Sequence, residues 1–161
     1  MTVARQGLVD HADSLGATAR FGGGDAQWMT AGRGIEHAEM FPLTRTDADN
    51  PLEMFQLWLN LPAADKMVPP HFTMFWNEQI PVHQVTDDHG RTATITIVVG
   101  IYCGQTPPPP PPQSWAAKPD SQVAIWTIVL DPGAQWTLPA ASKGVHRSLY
   151  FFLGDGLAAE G

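Results

Sequence analysis

Thirty of the 161 residues are glycine or proline, fifteen of each. Both disfavour a helix interior, glycine through backbone entropy and proline through its missing N–H and ring clash. Few stretches between them are long enough for three helical turns. Strand signals fill the space instead. Phe55 to Leu61 (FQLWLNL) places Gln56 and Asn60 among apolar residues, and Thr92 to Tyr102 (TATITIVVGIY) is rich in β-branched side chains. Val123 to Leu130 (VAIWTIVL) is a third strand, followed by the turn Asp131-Pro132-Gly133 and a returning strand over Ala134 to Leu138. Arg147 to Phe152 before Gly154-Asp155-Gly156 repeats the pattern. Short strands divided by Gly/Pro turns predict an all-β barrel or sandwich.

Residues 27–40, QWMTAGRGIEHAEM, carry the chemistry. In an extended strand the side chains at i and i+2 leave the same face, so His37 and Glu39 point together into whatever that strand lines. An imidazole beside a carboxylate is the ligand chemistry of non-haem iron, manganese or zinc. It is half a site, because a catalytic metal needs at least three protein ligands and an open position. Gly22-Gly23-Gly24-Asp25 predicts a tight turn, since no helix signal follows to make it a phosphate cradle. Thr30 to Gly34 predicts an irregular segment that uses positive φ, where Arg33 either anchors the loop by pairing with a carboxylate or faces a ligand. Trp28, Met29 and Met40 flank the pair as candidate pocket walls, with core packing as the default.

The formal net charge is −7 and no basic run occurs, which argues against direct nucleic-acid binding. A single cysteine, Cys103, excludes an intrachain disulfide and a cysteine-based zinc site. The sequence opens without a signal-peptide pattern, and no apolar run approaches membrane-spanning length, so the expectation is a soluble cytoplasmic protein with no membrane partner. Pro107 to Pro112 is a run of six prolines. As polyproline II it would span roughly 19 Å, a connection between two β units rather than an SH3 or WW ligand.

QWMTAGRG followed by I-x-H-x-E, then LWLNLPAADKMVPPHF at 57–72 and Glu78-Gln79-Ile80-Pro81, resembles the pirin family of the cupin superfamily. AIWTIVLDPGAQWTLPAA (124–141) and RSLYFFLGDGL (147–157) resemble the opening of that family's second barrel. The resemblance implies a bicupin fragment. Residues 1–104 would be most of an N-terminal cupin-type β-barrel lacking its first strands, 105–119 a Pro-rich linker, and 120–161 the beginning of a C-terminal barrel. It also implies a divalent metal, by family habit Fe(II), held by three histidines and one glutamate. His37 and Glu39 match two of those ligands, with Glu39 doubling as base in a flavonol (quercetin) 2,3-dioxygenase. The other two ligands belong to a His-x-His motif that this sequence does not contain. His71 and His83 are weighed as substitutes and expected in other roles. His11 matches a non-ligand position, His89 a solvated turn, and His146 no ligand position. A flavonol-like small molecule is the implied partner, and open barrel edges predict a homodimer. The competing readings are a non-catalytic binding or regulatory module and an inactive remnant of a pirin.

Overall fold

The computed structural model describes residues 1–160. Ten strands form three sheets. They are β1 (Thr2–Gln6), β2 (Leu8–Asp13), β3 (Thr18–Gly22), β4 (Ala26–Thr30), β5 (His37–Met40), β6 (Glu53–Gln56), β7 (His71–Phe75), β8 (Val82–Thr86), β9 (Thr92–Val99) and β10 (Ile125–Leu130). Among the described residues the helical segments are single 3-10 turns, as the density of glycine and proline requires.

The first sheet has the order β6-β1-β4-β7, the second β3-β2-β5 and the third β10-β9-β8. The first sheet is a central layer. On one face Val3, Ala26, Trp28 and Phe75 pack on Ile80, Val98 and Val99 in an apolar core. On the other face Ala4, with half-buried Met54 and Met74, packs on Val9 and Phe21 of the second sheet. Burial on both faces explains why β4 is buried almost continuously, although its side chains alternate between the two cores.

β9 shows how period-two sequence becomes packing. Ala93, Ile95 and Ile97 are buried while Thr92, Thr94 and Thr96 are half-buried. A register shift between Ile125 and Trp126 of β10 interrupts that alternation, and Val98 and Val99 join the core of the central sheet instead. The β8–β9 hairpin is closed by Asp87, whose Oδ1 accepts the N–H groups of His89 (2.8 Å) and Arg91 (3.0 Å). His89 is exposed in that turn, as expected.

Three expected strands differ. The strand expected over 55–61 begins earlier, at Glu53, and ends at Gln56, after which Leu57 and Leu59 pack irregularly against the apolar core. Residues 134–138 form no strand. Trp136 turns onto Tyr102 instead, and its indole N–H donates to the Tyr102 hydroxyl at 3.0 Å. Residues 147–152 are likewise irregular, with Phe152 set edge-on against Phe55 (4.8 Å) and under the Arg5 guanidinium (4.7 Å). The proline run is packed down, with Pro107 and Pro111 buried.

Candidate functional site

The segment carrying His37 and Glu39 is fixed at both ends by local geometry. Upstream, the turn after Gly22 is held by Asp25, whose carboxylate accepts the N–H groups of Gly22 (3.0 Å) and Asn77 (2.8 Å). β4 then runs to Thr30. The chain turns through Gly32, whose φ is +52° and whose missing Cβ would lie 2.1 Å from the Val68 carbonyl oxygen. That carbonyl accepts the Arg33 N–H at 2.9 Å. The loop is held here by the backbone N–H, while the Arg33 side chain is exposed and makes none of the ion pairs among the described residues. Only glycine fits the approach, and β5 starts five residues later.

β5 pairs antiparallel with β2, placing Glu39 opposite His11 and His37 opposite Asp13. Directly opposed residues share a face. Val9, two residues before His11, packs in the core between the first two sheets, so that face is the barrel interior. His37 and Glu39 therefore leave β5 on one side and point inward, with His37 exposed at the rim and Glu39 half-buried.

The interior is more polar than the His-x-Glu pair implies. His11 has no exposed side-chain surface, and its Nε2 lies 3.0 Å from Asp13 Oδ2. Its ring stacks on Phe72 (4.7 Å, 20°) and on His37 (5.6 Å, 24°). Asp13 Oδ1 also accepts the N–H groups of Leu15 (2.9 Å) and Ala17 (3.1 Å). Burial pushes the Asp13 carboxyl up, but the bonds from His11, Ala17 and Leu15 outweigh it and hold its pKa below the usual value. Across the barrel, Gln27 is buried on the face of β4 that it shares with Thr2 of β1 and Met74 of β7. His11 Nδ1 and Gln27 Nε2 are among the buried side-chain atoms without a hydrogen-bond partner. The amino group of Met1 is deprived of water and its pKa is lowered, with the Glu39 carboxylate opposing that shift.

Of the candidate walls, Met29 is on the site's face, opposite Phe72. Trp28 belongs to the apolar core on the other side of the sheet, and Met40 points out to solvent. His71 leaves β7 on the face opposite to Phe72. His83 lies in the third sheet, edge-on to Tyr102 at 5.2 Å, and His146 is exposed. None of the three joins His37 and Glu39. Among the described residues no group of three His, Cys, Asp or Glu side chains converges as a metal site. The donor set present does not by itself fit a catalytic metal.

His11 is the buried polar neighbour of the His37-x-Glu39 pair, across the β2–β5 pairing. The signal was present, because Val9-x-His11-x-Asp13 has the same i, i+2 spacing as His37-x-Glu39.

Among the described residues no helix is long and apolar enough to cross a membrane. The family model described as Pirin matches residues 1–59. Human pirin is 44% identical over 149 residues, covering 92% of this chain and 45% of the human protein. Pirin-1 of Arabidopsis thaliana is 30% identical over 171 residues, covering 96% of this chain and 55% of the plant protein. A crystal structure of quercetin 2,3-dioxygenase from Acinetobacter baumannii superposes with a TM-score of 0.57 at 36% identity, over 66% of this chain and 36% of that one. The chain thus spans about half the length of the relatives it matches. The matched segment ends beyond the β4–β5 motif, the fold is all-β of the cupin type, and the sequence likeness runs through nearly the whole chain: it belongs to the pirin family.

Proposed function

We propose that this chain forms part of a metal-binding cupin barrel that takes a flavonol-like small molecule, in the manner of a quercetin 2,3-dioxygenase. The observation that carries the reading is the placement of His37 and Glu39, side by side on β5 and aimed into a barrel interior with further polar lining. The name of the Acinetobacter baumannii structure supports the choice of substrate. Divalent metal, Fe(II) by family habit, suits one imidazole and one carboxylate. A complete site needs donors beyond these two, so no reaction step through a metal follows from this chain alone. In this reading Glu39 is the catalytic carboxylate.

The incomplete donor set favours a second reading, a binding or regulatory module without catalysis. Two wider expectations belong with the proposal. Residues 1–104 are read as one barrel and 120–161 as the start of another, joined across the Pro-rich segment 105–119. The pairing of β10 with β9 would then be a seam between them. All three sheets are open, and Trp58 is 89% exposed, which supports association of two copies through uncovered edges. A cytoplasmic location rests on the single free thiol, Cys103.

The test is metal content of the purified chain beside a His37→Ala, Glu39→Ala double variant, with quercetin consumption measured on both. Near-stoichiometric metal and quercetin turnover that both vanish in the variant support the dioxygenase. Equal, substoichiometric metal and no turnover in either refute it and leave the binding module.

A further inference from the structure

A sheet edge that meets water ordinarily carries a charge, a proline or a bulge, because its free N–H and C=O groups would otherwise recruit another strand. Six strands stand at sheet edges here: β6 and β7, β3 and β5, β10 and β8. Five of them carry an ionisable side chain, namely Glu53 in β6, His71 in β7, Arg20 in β3, His37 and Glu39 in β5, and His83 in β8. β10 (IWTIVL) carries none, and no proline. Its six residues are β-branched or large and apolar, a composition that favours strand pairing.

The bond pattern leaves that edge open. Ile125–Leu130 pairs with residues 93–99 of β9, and among the described residues no other backbone bond reaches it. Trp126, Ile128 and Leu130 lie opposite Ile97, Ile95 and Ala93 and pack in the apolar core of the third sheet. Thr127 and Val129 leave the other face, where Val129 is 53% exposed. The register shift falls between Ile125 and Trp126, so residues 126–130 are the regular stretch and Ile128 is its centre.

We propose that the free edge of β10 is a self-association surface whose partner is β10 of a second copy, antiparallel about a two-fold axis at Ile128. This rests on the association of two copies proposed above and assigns it to one edge. In that register Ile128 meets its own counterpart, Trp126 meets Leu130, and Thr127 meets Val129. Residues of one face therefore always meet residues of the same face. Each Asp131 falls opposite an Ile125. The two Asp131 carboxylates are then six residues apart along the seam, roughly 20 Å, beyond two Debye lengths at physiological salt, and they do not repel. The pairing is closed by its two-fold axis and makes a six-stranded sheet whose outer strands are β8, with His83.

The experiment is sedimentation velocity of the full chain across a wide concentration range, beside Val129→Lys on β10 and Gln84→Lys on the control edge β8. Wild type is expected to show a monomer–dimer equilibrium. In Val129→Lys the dissociation constant should rise roughly tenfold, because two lysines then sit diagonally across the seam, about 7–8 Å apart. Gln84→Lys should leave it unchanged. A dimer that survives Val129→Lys at wild-type strength, or weakens equally in both variants, overturns the edge assignment and leaves association of two copies standing. A chain that is monomeric at every concentration overturns both. Hydrogen exchange of the wild type reads the same edge without a variant, because amide protection over residues 125–130 must rise with protein concentration. Protection independent of concentration overturns the assignment, whether the edge stays bare or is covered by the chain's own segment 147–153.

Discussion

Replacing Asp13 separates its electrostatic role from its shape. In wild type one carboxylate accepts from His11 Nε2 (3.0 Å), Leu15 N (2.9 Å) and Ala17 N (3.1 Å). In Asp13→Ala all three donors are released. The Leu15 N–H is exposed and returns to water at little cost. The Ala17 N–H is part-buried and loses about 1 kcal/mol, while His11 Nε2, fully buried, loses about 1–3 kcal/mol. The expected destabilisation is about 2–4 kcal/mol. In Asp13→Asn the amide oxygen can keep both backbone bonds, but Nδ2 now faces His11 and can only donate. The imidazole must offer its Nε2 lone pair and carry its hydrogen on Nδ1. A neutral bond then replaces a charge-assisted one, a loss of about 1 kcal/mol. Urea unfolding gives the two energies, and nitrogen-15 shifts of His11 report the tautomer. Equal destabilisation of the two variants, or an unchanged tautomer in Asp13→Asn, would refute the reasoning.

Phe21→Ala empties the core between the first two sheets and should lose about 3–5 kcal/mol by denaturant melt, whereas Met40→Ala, on the outer face of β5, should stay within about 0.5 kcal/mol. Gly32→Ala meets both a positive φ and the Val68 carbonyl, and should lower stability by about 2 kcal/mol or more in the same melt. Gly34→Ala, with open space around it, should lose less. Burial raises the Asp87 pKa, but the N–H groups of Arg91, His89 and Gln135 and the Arg91 guanidinium bring it down to about 2. A depressed carboxylate contributes stability that is full above its unfolded pKa near 4 and lost as pH falls towards 2. Asp87→Asn should remove that part of the acid dependence, measured as unfolding midpoint against pH. Gln27→Leu should raise stability by about 1 kcal/mol in urea, because it removes an unpartnered buried donor.

The sequence was most legible where side-chain period and turn chemistry agree. Thr92 to Val99 has both signals, and it folds as the strand they predict. Gly22 to Asp25 was legible for the same reason. Residues 134–138 and 147–152 have the apolar content of strands, but no pairing partner takes them up, and a strand is defined by its partner rather than by its own residues. The His37-x-Glu39 face was legible because i, i+2 spacing is a local rule. His11 reads from the sequence only as a non-ligand position, and its proximity to His37 depends on the β2–β5 register, which pairs residues 24 or more apart in sequence. Gln27 was hidden differently. It sits in a strand buried on both faces, where neighbours in sequence face opposite cores and only the fold says which core is polar.

That division across β4 decides what each face of the strand contributes to stability. Trp28 and Ala26 leave the strand into an apolar core with Val98 and Val99, where nothing polar needs satisfying. Gln27 leaves the same strand in the other direction, beside Thr2 and Met74 and on the side of the second sheet. An apolar side chain would be compatible with the neighbouring Ala4, Val9, Phe21 and Met74 and would leave no orphan behind. Two unpartnered buried groups lower stability by about 1–3 kcal/mol each, against a net stability of about 5–15 kcal/mol for a typical domain. Replacing Gln27 by leucine should therefore raise the urea midpoint, and an unchanged or lowered midpoint would refute the reasoning.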